Sequence, residues 1–134
     1  MSVLEGKKIL LGVTGSIAAY KSIILLRLLK REGADVQVIF SDSANNFVTQ
    51  LTFSTLSEKK VLTDFFEDDD KVEWVNHVEL AEWADYMIIA PITSSTLSKL
   101  VTGNADNLLV ATYMSTVCDV FFAPAMDLEM YNSE

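Results

Sequence analysis

The sequence predicts an α/β fold in three layers, a parallel sheet with helices on both faces. Short apolar runs of strand length alternate with longer segments of helical periodicity. The runs are apolar at consecutive positions, as in strands buried on both sides, rather than alternating. Polar and small residues follow each run, where a right-handed crossover to a helix would begin. Half of the 134 residues (50%) are hydrophobic, enough for a single domain around one packed core.

The first strand is read at residues 8–13, Lys-Ile-Leu-Leu-Gly-Val, ending at Thr14-Gly15-Ser16. Residues 17–31 follow as a helix, with Ile17, Tyr20, Ile24, Leu25, Leu28 and Leu29 at helical spacing. Ser16 is placed to cap it, and Gly33 to end it. Residues 36–40 form a second, β-branched strand, and the polar turn at 41–46 opens a short helix through Phe47 and Leu51. A third strand is expected at 61–66, and a strongly apolar strand at 86–91, Tyr-Met-Ile-Ile-Ala-Pro. Helices are read at 93–101 and 106–114, separated by Thr102-Gly103-Asn104, and a last strand at 119–123 before Pro124.

Composition excludes several function classes. The net charge of -9 and ten Lys and Arg argue against nucleic acid, whose phosphates are bound by basic clusters. Much of the acidity lies at 64–73, Asp-Phe-Phe-Glu-Asp-Asp-Asp-Lys-Val-Glu, which lacks the ligand spacing of a calcium loop and reads as solvated. One cysteine, Cys118, excludes an internal disulfide and a multi-cysteine metal site, and no metal is expected. No apolar run reaches the roughly 20 residues of a membrane span. The N-terminus lacks the pattern of a signal peptide, so a cytoplasmic location is expected.

In parallel sheets ligands bind outside the carboxyl ends of the strands. The hydroxyl and small residues collect in those segments: Gly15-Ser16, 41–44, 91–96 and 124–127. Gly15 permits close backbone approach, and the helix start after Ser16 offers N–H groups to an anion. The segment has neither a G-x-G-x-x-G fingerprint nor a phosphate-loop Lys-Ser pair, which favours a mononucleotide phosphate or similar anion. Thr93, Ser94, Ser95 and Thr96 could cap a helix or donate to a polar ligand. Ser41 and Ser43 stand in the same position after the second strand. His77 is the only histidine, and its ordinary titration range suits proton transfer.

Four ordered elements then match a family. They are Gly-Ser-Ile-Ala-Ala-Tyr-Lys at 15–21, Asn-His-Val-Glu-Leu-Ala at 76–81, Ala-Pro-Ile-Thr-Ser-Ser-Thr-Leu-Ser-Lys at 90–99 and Ala-Pro-Ala-Met-Asp-Leu-Glu-Met-Tyr at 123–131. The third stands where the family has Pro-Ala-Ser-Ala-Asn-Thr, the fourth where it has Pro-x-Met-Asn-x-x-Met. In these the chain resembles the homo-oligomeric flavin-containing cysteine decarboxylases, within them the phosphopantothenoylcysteine decarboxylase part of the bifunctional coenzyme A biosynthesis flavoprotein. The resemblance runs from about Lys7 to Tyr131.

It implies a Rossmann-like flavoprotein fold over residues 1–134 and FMN as cofactor. By the resemblance Gly15, Ser16, Ile17 and Ser41 would lie at the FMN phosphate. Thr93, Ser94, Ser95 and Thr96 would bind the flavin, Ala125 would lie close to it, and His77 would be the base. Asp127 would contact the substrate, phosphopantothenoylcysteine. The implied reaction oxidises the substrate's cysteine side chain to a thioaldehyde, releases carbon dioxide and reduces the resulting enethiol to 4'-phosphopantetheine. The implied assembly is a homotrimer or larger homo-oligomer. A flavin prenyltransferase of the same superfamily is an alternative, and so is a non-catalytic FMN carrier.

Two positions depart from the family pattern. Asp127 replaces the Asn that meets the substrate carboxylate, so two carboxylates would face each other. Ser95 replaces the Asn of the earlier motif. The family also uses a cysteine after the Met motif as proton donor, whereas Cys118 precedes it. The chain is therefore expected to be truncated at its C-terminus, binding FMN and starting the oxidation without completing turnover.

Overall fold

Strand residues pointing alternately to the two faces build two cores, one on each face of a single sheet. In the computed structural model, which describes residues 3–63, 76–104 and 107–124, β1 spans Lys8–Val13, β2 Asp35–Phe40, β3 Tyr86–Ile92 and β4 Asp119–Pro124. The strands are parallel and ordered β2-β1-β3-β4. Successive strand residues point to opposite faces. Ile9, Leu11, Val13, Val36, Val38 and Phe40 face the helices α1 (Tyr20–Arg31) and α2 (Gln50–Ser57), which contribute Leu26, Leu29 and Phe53. The Phe40 and Phe53 rings meet edge to face, with centroids 5.0 Å apart. Leu10, Ile39, Met87 and Ile89 face α3 (His77–Trp83), α4 (Ser94–Thr102) and α5 (Leu108–Ser115), meeting Leu80, Leu100, Leu108 and Leu109. The three-layer α/β expectation holds.

Helix starts follow local chemistry. Ser16 accepts from Ala18 N, opening a 3-10 turn at Ile17–Ala19 that leads into α1. Thr49, Asn76, Thr93 and Asn107 each accept main-chain N–H bonds in the same way at the starts of α2, α3, α4 and α5. Gly33, at φ +86, follows the end of α1, as its position predicts.

Four expectations change. The buried face of α1 is Ser22, Leu26 and Leu29, while Ile17, Tyr20, Ile24 and Leu28 are exposed. Two rows at helical spacing overlap in this segment, and periodicity does not say which one meets the sheet. The turn after β2 divides into a 3-10 turn at Asp42–Asn46 and a separate α2. Of the strand expected at 61–66, residues 61–63 make a single parallel bridge, between Ile39 and Leu62, and residues 64–66 lie outside the described residues. The helix read at 106–114 starts at Leu108, where Asn107 caps it.

Gly12, in the middle of β1, lets α5 sit directly on the sheet. A Cβ there would lie 2.6 Å from Leu109 Cδ1 and 3.4 Å from Ile89 Cγ1. Gly12→Val should therefore lower stability by about 1–3 kcal/mol, read as a drop in the urea midpoint. An unchanged midpoint would contradict this packing.

Candidate functional site

From β1 the chain moves outward to β2 on one side, and the later strands β3 and β4 lie on the other. The carboxyl ends of β1 and β3 are therefore the topological switch point, where a crevice opens in sheets of this kind. Three segments meet there: Thr14–Ile17 after β1, Ser41–Ser43 after β2 and Thr93–Thr96 after β3.

Main-chain and hydroxyl bonds tie these segments into one unit. Ser41 N donates to Val13 O at 2.9 Å. The Ser41 and Ser43 hydroxyls lie 3.3 Å apart. Thr14 Oγ1 donates to Pro91 O at 2.5 Å and accepts from Thr93 N at 3.1 Å. Thr93 Oγ1 accepts from Thr96 N at 3.2 Å and donates to Thr96 Oγ1 at 3.1 Å. Thr14, Ser41 and Thr96 are buried, whereas Ser43, Ser94 and Ser95 are exposed. The buried hydroxyls thus hold the frame, and the exposed ones face outward from it. Ile17 is 81% exposed beside them.

Gly15 has a different reason for being glycine than the sequence suggests. A Cβ there would come within 2.5 Å of Ser43 Oγ and 2.8 Å of the Ser43 carbonyl carbon. The close approach is to the neighbouring loop, which brings the first two segments into contact. Thr14 is a functional candidate that motif reading passes over. The available signal was a hydroxyl residue directly after a buried strand, opposite a proline that removes a donor from the adjoining strand.

His77 is the first residue of α3 and is half-buried, with its Nδ1 buried. Asn76 beside it accepts from Val78 N and Glu79 N through Oδ1. Asn76 also borders a cleft with Gln37, Lys59 and Trp83, where Lys59 lies 4.7 Å from the Trp83 ring centroid. None of the hydrogen bonds that join the three hydroxyl-bearing segments involves His77. Ala125 and Asp127 fall outside the described residues.

One cleft lies beside this region without being lined by the three segments themselves. A cleft of 240 Å³ borders the end of β3, lined by Ala18, Lys21, Ser22, Pro91 and Ala123. A larger groove of 600 Å³ lies between α1 and α2, bordered by Ile24, Arg27, Leu28 and Leu56, and shares no residue with the hydroxyl-bearing loops. Among the described residues no group of three His, Cys, Asp or Glu is placed to hold a metal, and no helix is long and apolar enough to cross a membrane. The donor set at the switch point is neutral hydroxyls and main-chain N–H groups at two helix starts. It fits a phosphate monoester carrying a polyol and a ring with polar edges, the chemistry of FMN.

Cys118 is set apart from this chemistry. Burial pushes its thiol above the ordinary range, and the carboxylates of Asp119 and Asp85 push the same way. A group whose folded pKa is raised contributes stability below its unfolded pKa and loses it as pH rises through the folded value. Iodoacetamide at pH 8.5 should therefore alkylate Cys118 more slowly in the native chain than in urea, because less thiolate is present. Equal rates would contradict the assignment.

The family model described as Flavoprotein matches residues 2–134. The coenzyme A biosynthesis bifunctional protein CoaBC of Bacillus subtilis is 40% identical over 130 residues, which are 97% of this chain and 32% of that protein. This chain thus spans about a third of the length of the curated relatives it matches. Among solved structures, the FMN-dependent cysteine decarboxylase SpaF superposes with a TM-score of 0.87 at 26% identity, covering 98% of this chain and 75% of that one. A PPC decarboxylase mutant complexed with pantothenoylaminoethenethiol gives 0.77 at 31% identity, covering 96% of this chain and 72% of that one.

Proposed function

This chain belongs to the Flavoprotein family, and on that premise we propose that it is an FMN-dependent decarboxylase of 4'-phosphopantothenoylcysteine, acting in coenzyme A biosynthesis. The observation that carries the reading is the meeting of three hydroxyl-bearing loops at the β1–β3 switch point. Relatives named for coenzyme A biosynthesis and for cysteine decarboxylation support the substrate class. Residues 1–134 are proposed as one FMN-binding domain working in the cytoplasm.

In this reading the N–H groups at Gly15, Ser16 and Ile17, with Ser41, hold the FMN phosphate at the start of the first helical turn. A phosphate at such a position is met by the positive end of the helix without a lysine. Thr93 and Thr96 shape the start of α4, while Ser94 and Ser95 offer donors to the ribityl chain and ring edge, with Ala125 close by. When bound, FMN supplies reversible two-electron oxidation of the substrate's thiol side chain. His77 accepts the proton that the side chain gives up, through an imidazole nitrogen. Asp127 meets the substrate carboxylate with one proton shared between the two groups, because two bare carboxylates at contact would repel.

Assembly as a homotrimer or larger homo-oligomer is part of the same proposal. It is supported by the row of Ile17, Tyr20, Ile24 and Leu28, which leaves four large apolar side chains exposed along the 3-10 turn and α1.

The purified chain should be yellow or take up FMN. Anaerobic phosphopantothenoylcysteine should then bleach the flavin band and release carbon dioxide. His77→Asn should retain FMN and slow the bleaching on the order of a hundredfold or more. A chain that takes up no FMN would sink the proposal, and unchanged bleaching in His77→Asn would remove His77 from the chemistry.

A further inference from the structure

Strand β3 lies inside the sheet, yet its pairing becomes irregular at its carboxyl end. The β1–β3 register runs only to Gly12 opposite Ile89. On the other side, the register with β4 shifts between Ile89 and Ile92. Pro91 falls in this interval and has no N–H, as expected of a proline tolerated within a sheet only at an irregularity. The carbonyls of Ala90 and Pro91 are left in a buried setting, where an unmet acceptor is costly.

Both are met by hydroxyls from the β1–α1 segment. Ser22, the buried polar residue on the inner face of α1, donates to Ala90 O. Thr14, with no exposed surface, donates to Pro91 O through Oγ1, and its N–H also donates to the same carbonyl at 3.3 Å. The same Oγ1 accepts from Thr93 N at 3.1 Å. Thr93 is the N-cap of α4, so this bond sets where α4 begins relative to the loop after β1.

We propose that Thr14 and Ser22 form a hydroxyl clamp, and that Thr14 is the positioning residue of the flavin site. It fixes the separation between the N–H groups of residues 15–17 and the donors of residues 93–95, two sets that must engage one ligand together. This rests on the flavin reading given above. Thr14 itself is enclosed, with its donor committed to Pro91 O, so it acts through Thr93 and not by contact with the cofactor. Valine keeps its shape and removes both donor and acceptor; serine keeps both.

The test combines two readouts. Amide exchange at Thr93 is followed by NMR in the apo chain, and FMN affinity by quenching of flavin fluorescence. Thr14→Val should speed exchange at the Thr93 amide and weaken FMN binding, each on the order of tenfold, as expected for one buried hydrogen bond. Thr14→Ser should restore both to within about threefold, since the hydroxyl is what matters. A folded Thr14→Val chain with wild-type exchange and affinity overturns the clamp. If Thr14→Val does not fold, Thr14→Ser decides: wild-type values support the clamp, and a folded serine chain that loses either overturns it. A wild-type chain that takes up no FMN removes the flavin reading instead, and Thr93 exchange in the apo variants then reads the clamp by itself.

Discussion

The carbonyl of Pro91 must find a donor inside the protein, and the way it does so organises the site. A proline in an interior strand removes a ladder donor and disturbs the pairing around it. Here the disturbance falls at the carboxyl end of β3, where the register with β4 shifts. From the end of β1, Thr14 donates to this carbonyl through both its N–H and its Oγ1, and the Oγ1 accepts Thr93 N–H in return. A defect in the sheet thereby becomes a fixed joint between the two loops that flank the switch point.

The second joint is steric. Gly15 and Ser43 approach too closely for any side chain at position 15. Together with the bond from Ser41 N to Val13 O, this holds the loop after β2 against the loop after β1. The N–H groups and exposed hydroxyls around the crevice are thus placed by three strands at once. An anion bound among them would meet donors whose positions are already set, so little further ordering would oppose binding.

Much of the fold was legible in the sequence because β1, β2 and β3 are largely buried and read as continuous apolar runs, and β4, an edge strand with Phe121 and Phe122 exposed, carries a run of the same kind. The hydroxyl segments were legible because they follow those runs directly. Other features were not, for physical reasons. Helix α3 is only seven residues long, too short for a repeated apolar spacing, although Asn76 and Glu79 mark its start. The segment at 61–66 is β-prone by composition, but among the described residues it makes one bridge beyond β2. Periodicity does not single out the inner face of α1, because the row Ser22, Leu26, Leu29 includes a serine, and that serine is needed at Ala90 O. Thr14 looked like an ordinary turn residue, since its partners lie 77 and 79 positions away. Local sequence carries propensity and capping well, whereas a hydroxyl answering a distant proline is visible only in three dimensions.

The central claim is that the joined loops at the ends of β1 and β3 receive one FMN molecule. A crystal structure of the chain grown with FMN tests it most directly. The claim predicts the phosphate against the N–H groups of residues 15–17 and the rest of the cofactor along residues 93–96, with Thr14 still bonded to Pro91 O. Density for FMN at any other place on the chain, or none at saturating FMN, would contradict it.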